Sequence, residues 1–463
     1  MKSSPQFDTL ILIFAVVALV AAATWVVPGG EYQRQVKEGK TLVVPDSFAY
    51  VAGEPQGIGA LLMAPVRGFI EAAHIIAFLF VIGGAFMVIQ ETGAITHGIR
   101  ELASAFAQRP HLQKYFIPAT MLIFSLAGGI FGMCEETMPF VLIFIPLALS
   151  LGYDSLVGTA IPFLGAAAGF AGSVLNPFTV GIAQTIAELP LYSGLEYRIV
   201  IWVISTVSMI TFVMLYAARV KADPRRSLVF EIDRERKAGL HLEAPEEGGF
   251  HLRHKLVLAT FGAAILALVV GILSFSWYIN EIAALFFALG IVSGIVGRLS
   301  ASKLTAAFKA GARDMVGVAL IIGCARAILV VATDGKILDT MLHGLAGLIT
   351  HLHPIVAAQA MFLTQGVINF FVHSGSGQAA LTMPVMAPLA DVVGVSRQTA
   401  VLAFQFGEGW INPILPTSGV TMGVLGLAGI PWEKWFRWML PAQVFFLILA
   451  LALLVPPFFF GYQ

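Results

Sequence analysis

Residues 115–153 read YFIPATMLIFSLAGGIFGMCEETMPFVLIFIPLALSLGY. The run is apolar throughout except for Glu135 and Glu136 at its centre. Two full spans joined in water would each need about 20 apolar residues, with the acids in an ordinary loop. The residues beside the acids favour another reading. Gly132 opens a tip, Thr137 is placed to cap a second helix, and Pro139 falls in that helix's first turn, where a missing N–H costs nothing. The segment is expected to form a re-entrant hairpin over about 115–153, with both flanks on one side of a bilayer. Such backbone is tolerated at membrane depth only where it is buried in protein or lines a cavity. A plain pair of spans is the alternative.

The rest of the chain fits a bilayer. Of 463 residues, 58% are apolar and 12% charged, and mean hydropathy is +0.86. A soluble surface usually needs about 25% charge. Long runs without Asp, Glu, Lys or Arg cover 10–27, 72–90, 155–187, 199–218, 256–280, 341–390 and 438–463. Alternating barrel-type strands are absent, so the fold class expected is an all-α polytopic membrane protein. The 10–27 run is read as the first span; small residues at Ala21–Ala23 imitate a leader cleavage site. Net charge is zero, which argues against a nucleic-acid partner. Cys134 and Cys324 both lie in apolar runs, leaving no disulfide framework or zinc cluster.

Basic residues set the orientation. Residues 219–255 carry nine basic and seven acidic side chains. They are read as a solvated cytoplasmic linker loop, not a domain. Arg100, Arg109 and Lys114, then Arg298, Lys303, Lys309 and Arg313, then Lys434 and Arg437, mark further cytoplasmic loops. Residues 29–59 fall outside, and the N-terminus is placed in the cytoplasm. This is the pattern of a prokaryotic-type inner membrane protein. Trp432, Trp435 and Trp438 read as an interfacial belt, and Glu71 and Glu91 as solvated span ends.

The halves echo each other. Gly83-Gly84-Ala85 matches Gly323-Cys324-Ala325, and Thr92-Gly93 matches Thr333-Asp334-Gly335. Thr137-Met138-Pro139 matches Thr382-Met383-Pro384, and Asn176-Pro177 matches Asn412-Pro413. The first hairpin is entered from the cytoplasm. Its counterpart, about 354–393 with the tip His373-Ser374-Gly375-Ser376-Gly377-Gln378, is entered from outside. Inverted repeats over 1–218 and 256–463 follow, the pattern of secondary transporters with a site at the midplane. Each hairpin precedes an interrupted span, at about 155–187 and 398–430. A residue before proline is driven out of the helical region, and proline deletes a hydrogen bond. Each Asn-Pro is therefore expected to break its helix. Freed carbonyls can hold a cation, and a new helix N-terminus can hold a carboxylate. Ser, Thr and Asn side chains can complete such sites: Thr137, Ser173, Asn176, Ser374, Ser376, Asn412, Thr417 and Ser418.

Ionisable groups at membrane depth are expensive and functional by default. Glu135 and Glu136 are adjacent, so one can face a cavity while the other bonds backbone N–H groups. Glu408 can bind an amine, a proton or a cation. Arg326 either holds a substrate carboxylate or pairs with a buried glutamate. His373 is either a proton relay or a neutral hydrogen-bond partner.

The run Gly132–Pro139, the run Gly172-Ser173-Val174-Leu175-Asn176-Pro177, the long second tip from His373 to Ala390, and Phe404–Gly409 with Pro416-Thr417-Ser418-Gly419 together resemble the YfcC-type branch of the DcuC-like family (C4-dicarboxylate anaerobic carriers), in the ion transporter superfamily. The resemblance covers nearly the whole chain. It implies a scaffold domain that dimerises, and a transport domain of two opposed hairpins and two broken helices that moves as an elevator. It places the superfamily's Ser-Asn-Thr sodium signature on Ser173, Asn176 and Thr179. In the second half Asn412, Thr417 and Ser418 are present, but Gly409 stands where the serine belongs.

The expected function is ion-coupled or exchange transport of small carboxylate-bearing solutes. Glutamates for a positive group, with helix N-termini and Arg326 for a carboxylate, suit an amino acid, a basic one above all, or a short peptide. A C4-dicarboxylate would need those glutamates protonated or occupied by cations. No cofactor is expected beyond a coupling Na+ or H+. Hairpins that end at mid-membrane would close the path from both sides, which disfavours a channel. No metal-spaced His/Cys set or activated nucleophile supports an enzyme, and no phosphate-binding Gly-Lys-Ser/Thr loop supports an ATP-driven pump.

Overall fold

The apolar runs fold as helices because a helix satisfies its own backbone polar groups without water. The structure is a computed structural model and describes residues 9–37, 40–44, 46–98, 101, 110–239, 251–275, 277 and 279–462. Arg100, Arg109 and the 240–250 part of the linker lie outside the described residues. Among the described residues, eight helical segments are long and apolar enough to cross a membrane: Ala73–Glu91, Ser155–Ile186, Leu195–Ala222, Ile279–Val296, Val316–Asp334, Pro354–Phe371, Arg397–Ala428 and Trp432–Phe460. The first apolar run forms the helix Thr9–Ala23. Its Ile13, Val17 and Val20 are buried in one cluster with Ile328, Val331 and Ala332 of Val316–Asp334.

The fold is mostly helical, but not wholly so. Gly30–Glu31 pairs antiparallel with Ala49–Tyr50, and Arg34–Lys37 with Lys40–Val43. This loop is pinned to the start of the helix Leu338–Ile349. Buried Asp339 accepts from the Tyr32 N–H and from Arg34 Nη2, both at 2.9 Å. Lys336 Nζ reaches Glu54 at 3.1 Å and Glu31 at 3.4 Å.

Residues 115–153 form two helices, Pro110–Phe131 and Met138–Ser150, around a tip that holds a 3-10 turn, Glu135–Thr137. The second limb has 13 residues. At about 1.5 Å per residue it rises roughly 20 Å, short of a hydrocarbon core of roughly 30 Å. Pro139 sits in its first turn, as expected. Thr137 does not cap it with its side chain. Thr137 is itself helical, at φ −70° and ψ −25°, so it lacks the extended backbone a capping side chain needs. Its Oγ1 donates to the Cys134 carbonyl at 2.6 Å instead. The second pair is Pro354–Phe371 and Gly375–Val392, where Ser374 does cap, accepting from the Gly377 N–H at 3.2 Å.

Both Asn-Pro steps break their helices. The first broken helix runs Ser155–Gly172, passes through left-handed Ser173, and resumes as a π-turn, Pro177–Gly181, with Asn176 Oδ1 accepting from the Phe178 N–H at 2.9 Å. The second runs Arg397–Gly409, turns at Asn412–Ile414, and restarts only at Gly419–Ala428 under a Ser418 cap. The Pro413 carbonyl left over at this break accepts from Trp435 Nε1 at 2.8 Å, and the Ile414 carbonyl from Trp432 Nε1 at 3.0 Å. This corrects the expected tryptophan belt. Trp435 is 0% exposed because the broken helix offers its indole N–H an acceptor inside the protein, and Trp438, 5% exposed, packs against Trp435, Phe212 and Tyr216.

The two broken helices touch where Gly409 meets Ala171; a Cβ on Gly409 would lie 2.6 Å from the Ala171 Cα. A serine at this position would meet the same backbone. The linker is also less free than expected. It carries a helix, Phe230–Gly239, whose buried Asp233 accepts from the Ser155 N–H at 2.8 Å. Arg236 of the same helix donates to the Ala428 carbonyl. One short polar helix thus joins the start of the first broken helix to the end of the second. Gly409→Ala is expected to cost about 1–3 kcal/mol by forcing backbone apart in a packed interior. The readout is a lower melting temperature of the purified protein in detergent; an unchanged melting temperature would refute the tight crossing.

Candidate functional site

The two tips and the two breaks converge on one cavity of about 440 Å³, within the range of roughly 300–1,000 Å³ typical of small-molecule sites. The first tip contributes Cys134, Glu135 and Glu136, and the second contributes His373, Ser374 and Ser376. The second break adds Glu408, Asn412, Thr417 and Ser418, and the first adds Thr179 beside Phe170 and Phe178. The facing wall brings Glu71, His74 and Arg326. Segments far apart in the chain meet here because each break or tip ends a helix at the same depth of the fold.

The acids are held differently. Glu136 is 7% exposed and folds back, one oxygen accepting from the Cys134 N–H at 2.8 Å. Glu135 beside it is half-buried at the cavity. Glu408 is 2% exposed; its Oε1 accepts from Asn412 Nδ2 at 2.8 Å, and its Oε2 is buried without a hydrogen-bond partner among the described residues. His373 Nε2 and Thr417 Oγ1 lie 2.6 Å apart. Arg326 Nε lies 3.3 Å from Glu71 Oε2, with both side chains about one-third exposed, and Arg326 also lines the cavity.

Three expected residues do not line the cavity. Ser173 and Asn176 are fully buried beneath the first tip, where Gly132, at φ +72°, leaves no room for a Cβ against Asn176 Oδ1. Ser173 Oγ and Thr179 Oγ1 sit 3.2 Å apart. These hydroxyls, with Asn176, are a hard-oxygen set suited in kind to a small cation. Thr137 lines instead a slot of about 20 Å³ beside Met133 and Phe163, room for about one water. In the second half, Thr417 is engaged by His373 while Asn412 is engaged by Asn369 and Glu408.

Glu71 and His74 were not read from the sequence as site residues. Glu71 lies at a helix end with an exposed side chain, as expected, but that side chain opens onto the cavity. It closes the helix Ile58–Glu71, which abuts Ala73–Glu91 at Ala72. With it, the cavity carries four carboxyl groups, Glu71, Glu135, Glu136 and Glu408, against one guanidinium.

The chain belongs to the C4-dicarboxylate anaerobic carrier (DcuC) family, whose model matches residues 7–457. It is 41% identical to the Escherichia coli (strain K12) protein described as "Putative basic amino acid antiporter YfcC", over 93% of this chain and 92% of that protein. It is 29% identical to an uncharacterized protein of Haemophilus influenzae, over 96% of this chain and 95% of that one. The solved YdaH transporter of Alcanivorax borkumensis aligns over 98% of this chain and 99% of its own, at 16% identity and a TM-score of 0.42.

Cys134 lines the acidic cavity, whereas Cys324 is 4% exposed in a core cluster. A cationic methanethiosulfonate is therefore expected to label Cys134 several-fold faster than an anionic one of similar size, since like charges repel and opposite charges concentrate the reagent. Labelling measured by mass spectrometry should vanish in Cys134→Ser. Equal rates for the two reagents would show that the cavity is not net acidic.

Proposed function

We propose that this DcuC-family transporter moves small amino acids with a second positive group, such as arginine or ornithine, by ion-coupled transport or exchange. The observation that carries this reading is the charge of the cavity. Four carboxyl groups face one guanidinium, and that guanidinium already has Glu71 as partner. A cationic side chain or ammonium would meet Glu408 and Glu135. The carboxylate of the same molecule would meet the N–H groups at the start of Gly375–Val392 and the outer nitrogens of Arg326. The similarity to a protein described as a basic amino acid antiporter agrees with this.

The movement we propose is of the elevator kind. The two hairpins would be re-entrant and related, with the broken helices, by an inverted repeat. The 13-residue limb Met138–Ser150 supports this because it is too short to span. Hairpins and broken helices would form the transport domain. Helices Ile58–Glu71, Ala73–Glu91 and Val316–Asp334 would belong to a dimerising scaffold in an inner membrane, with the N-terminus cytoplasmic. Ser173, Asn176 and Thr179 would hold a coupling sodium ion, and protons are the alternative currency.

A C4-dicarboxylate is the second reading, favoured by the description of the family. Both of its carboxylates would have to sit among the glutamates, which costs affinity unless those are neutralised. Solute counterflow in proteoliposomes, with labelled arginine and labelled succinate and with or without sodium, separates the two. Arginine is expected to accumulate, and Glu408→Gln to cut its uptake roughly tenfold or more, the scale of a lost charge-assisted contact. Succinate uptake without arginine uptake would overturn the reading.

A further inference from the structure

Helix Arg397–Gly409 ends beneath the cavity, and its last carbonyls lose the donors a continuing helix would supply. Asn369, near the end of Pro354–Phe371, supplies a substitute. Its Nδ2 lies 3.2 Å from the Gly407 carbonyl and 3.4 Å from the Glu408 carbonyl. The same Nδ2 lies 3.2 Å from Asn412 Oδ1, and Asn412 Nδ2 donates to Glu408 Oε1 at 2.8 Å. Asn369 is fully buried.

The direction of this chain matters. An asparagine amide has an accepting end and a donating end, and it can present either. A flipped Asn412 would turn Oδ1 toward the Glu408 carboxylate, oxygen against oxygen. Asn369 removes that choice. By donating to Asn412 Oδ1 it leaves only the NH2 end to face Glu408. It does so from the second hairpin, four residues before His373, so the contact exists only while the hairpin is docked on the broken helix.

We infer that Asn369 is a positioning residue: through Asn412 it fixes the Glu408 carboxylate with Oε1 bonded and Oε2 left for a cationic ligand, and it ties that arrangement to hairpin docking. The inference rests on the reading of Glu408 as a binding carboxylate. Nothing in the bonds to Gly407 and Glu408 alone would require it, since any buried donor could satisfy those carbonyls. The contact with Asn412, sharing the two N–H donors of Asn369 with the Gly407 and Glu408 carbonyls, makes the difference.

The test needs no knowledge of the substrate. In a Cys324→Ser background, Cys134 becomes the single thiol, and the ratio of its labelling rates with cationic and anionic methanethiosulfonates reports the charge that Glu408 presents to the cavity. Glu408→Gln is expected to lower that ratio roughly three- to sixfold, the scale of one unit charge acting oppositely on two reagents across a hydrated cavity. Asn369→Ala is expected to lower it by a similar factor, and the double variant to fall no further than Glu408→Gln alone. If Glu408→Gln changes nothing, the reading of Glu408 fails. If Glu408→Gln lowers the ratio while Asn369→Ala leaves it at the parent value, or if the two effects add, the positioning role alone is overturned. Asn369→Ser serves as a second variant, keeping a donor near the Gly407 carbonyl but shorter by one bond toward Asn412. Its ratio should match that of Asn369→Ala. Loss of the folded protein in both variants would make Asn369 a structural residue and end the proposal.

Discussion

A helix interrupted inside an apolar fold leaves carbonyl and N–H groups that water does not reach, and each must find a partner in the protein. The rest of this structure answers that demand. The second break is answered by Trp435 and Trp432, whose indoles donate to the Pro413 and Ile414 carbonyls, and by Asn369, which donates to Gly407 and Glu408. The first is answered by Asn176, which accepts from Phe178, and by Gly129, whose carbonyl accepts from Leu175 at 2.9 Å. Partners of this kind have to come from other helices, so each break draws neighbouring elements around it. The cavity is the space left between elements gathered in this way.

The same constraint puts carboxyl groups where burial is otherwise costly. Glu408 survives at 2% exposure because Asn412 donates to it, and Glu136 at 7% because the Cys134 N–H does. Both bonds come from backbone or side chains that the breaks and tips set free. The wall opposite obeys a different economy. Glu71 and Arg326 neutralise each other across two packed helices and keep about one-third of their side chains open to the cavity. Acids presented by breaks on one side, and a self-balanced pair on the other, leave the cavity acidic overall.

Where sequence reading failed, it failed for one kind of reason. Tryptophans near a span end read as a lipid belt, but the Trp432 and Trp435 indoles donate to acceptors that exist only once Pro413 has broken a helix. Thr137 read as a cap from its place before Pro139, but the 3-10 turn made it helical. The linker read as solvated from its charge, yet Asp233 and Arg236 sit against helix ends from opposite halves of the chain. The tryptophan and linker cases turn on partners distant in sequence, which no local pattern reveals; the Thr137 case turns on a local 3-10 turn.

By itself the sequence determined the membrane class, the places where helices stop, and the identity of the ionisable groups at depth. Proline, glycine and apolar run length act through local backbone sterics and desolvation, and those need no tertiary partner. Only the tertiary structure decided that Glu71 shares a cavity with Glu408, that Arg326 takes Glu71, that Ser173 and Asn176 lie beneath the cavity wall, and that Gly409 must be small. Those outcomes depend on which helix faces close on one another. Residues far apart in the chain settle them through contacts of a few ångströms.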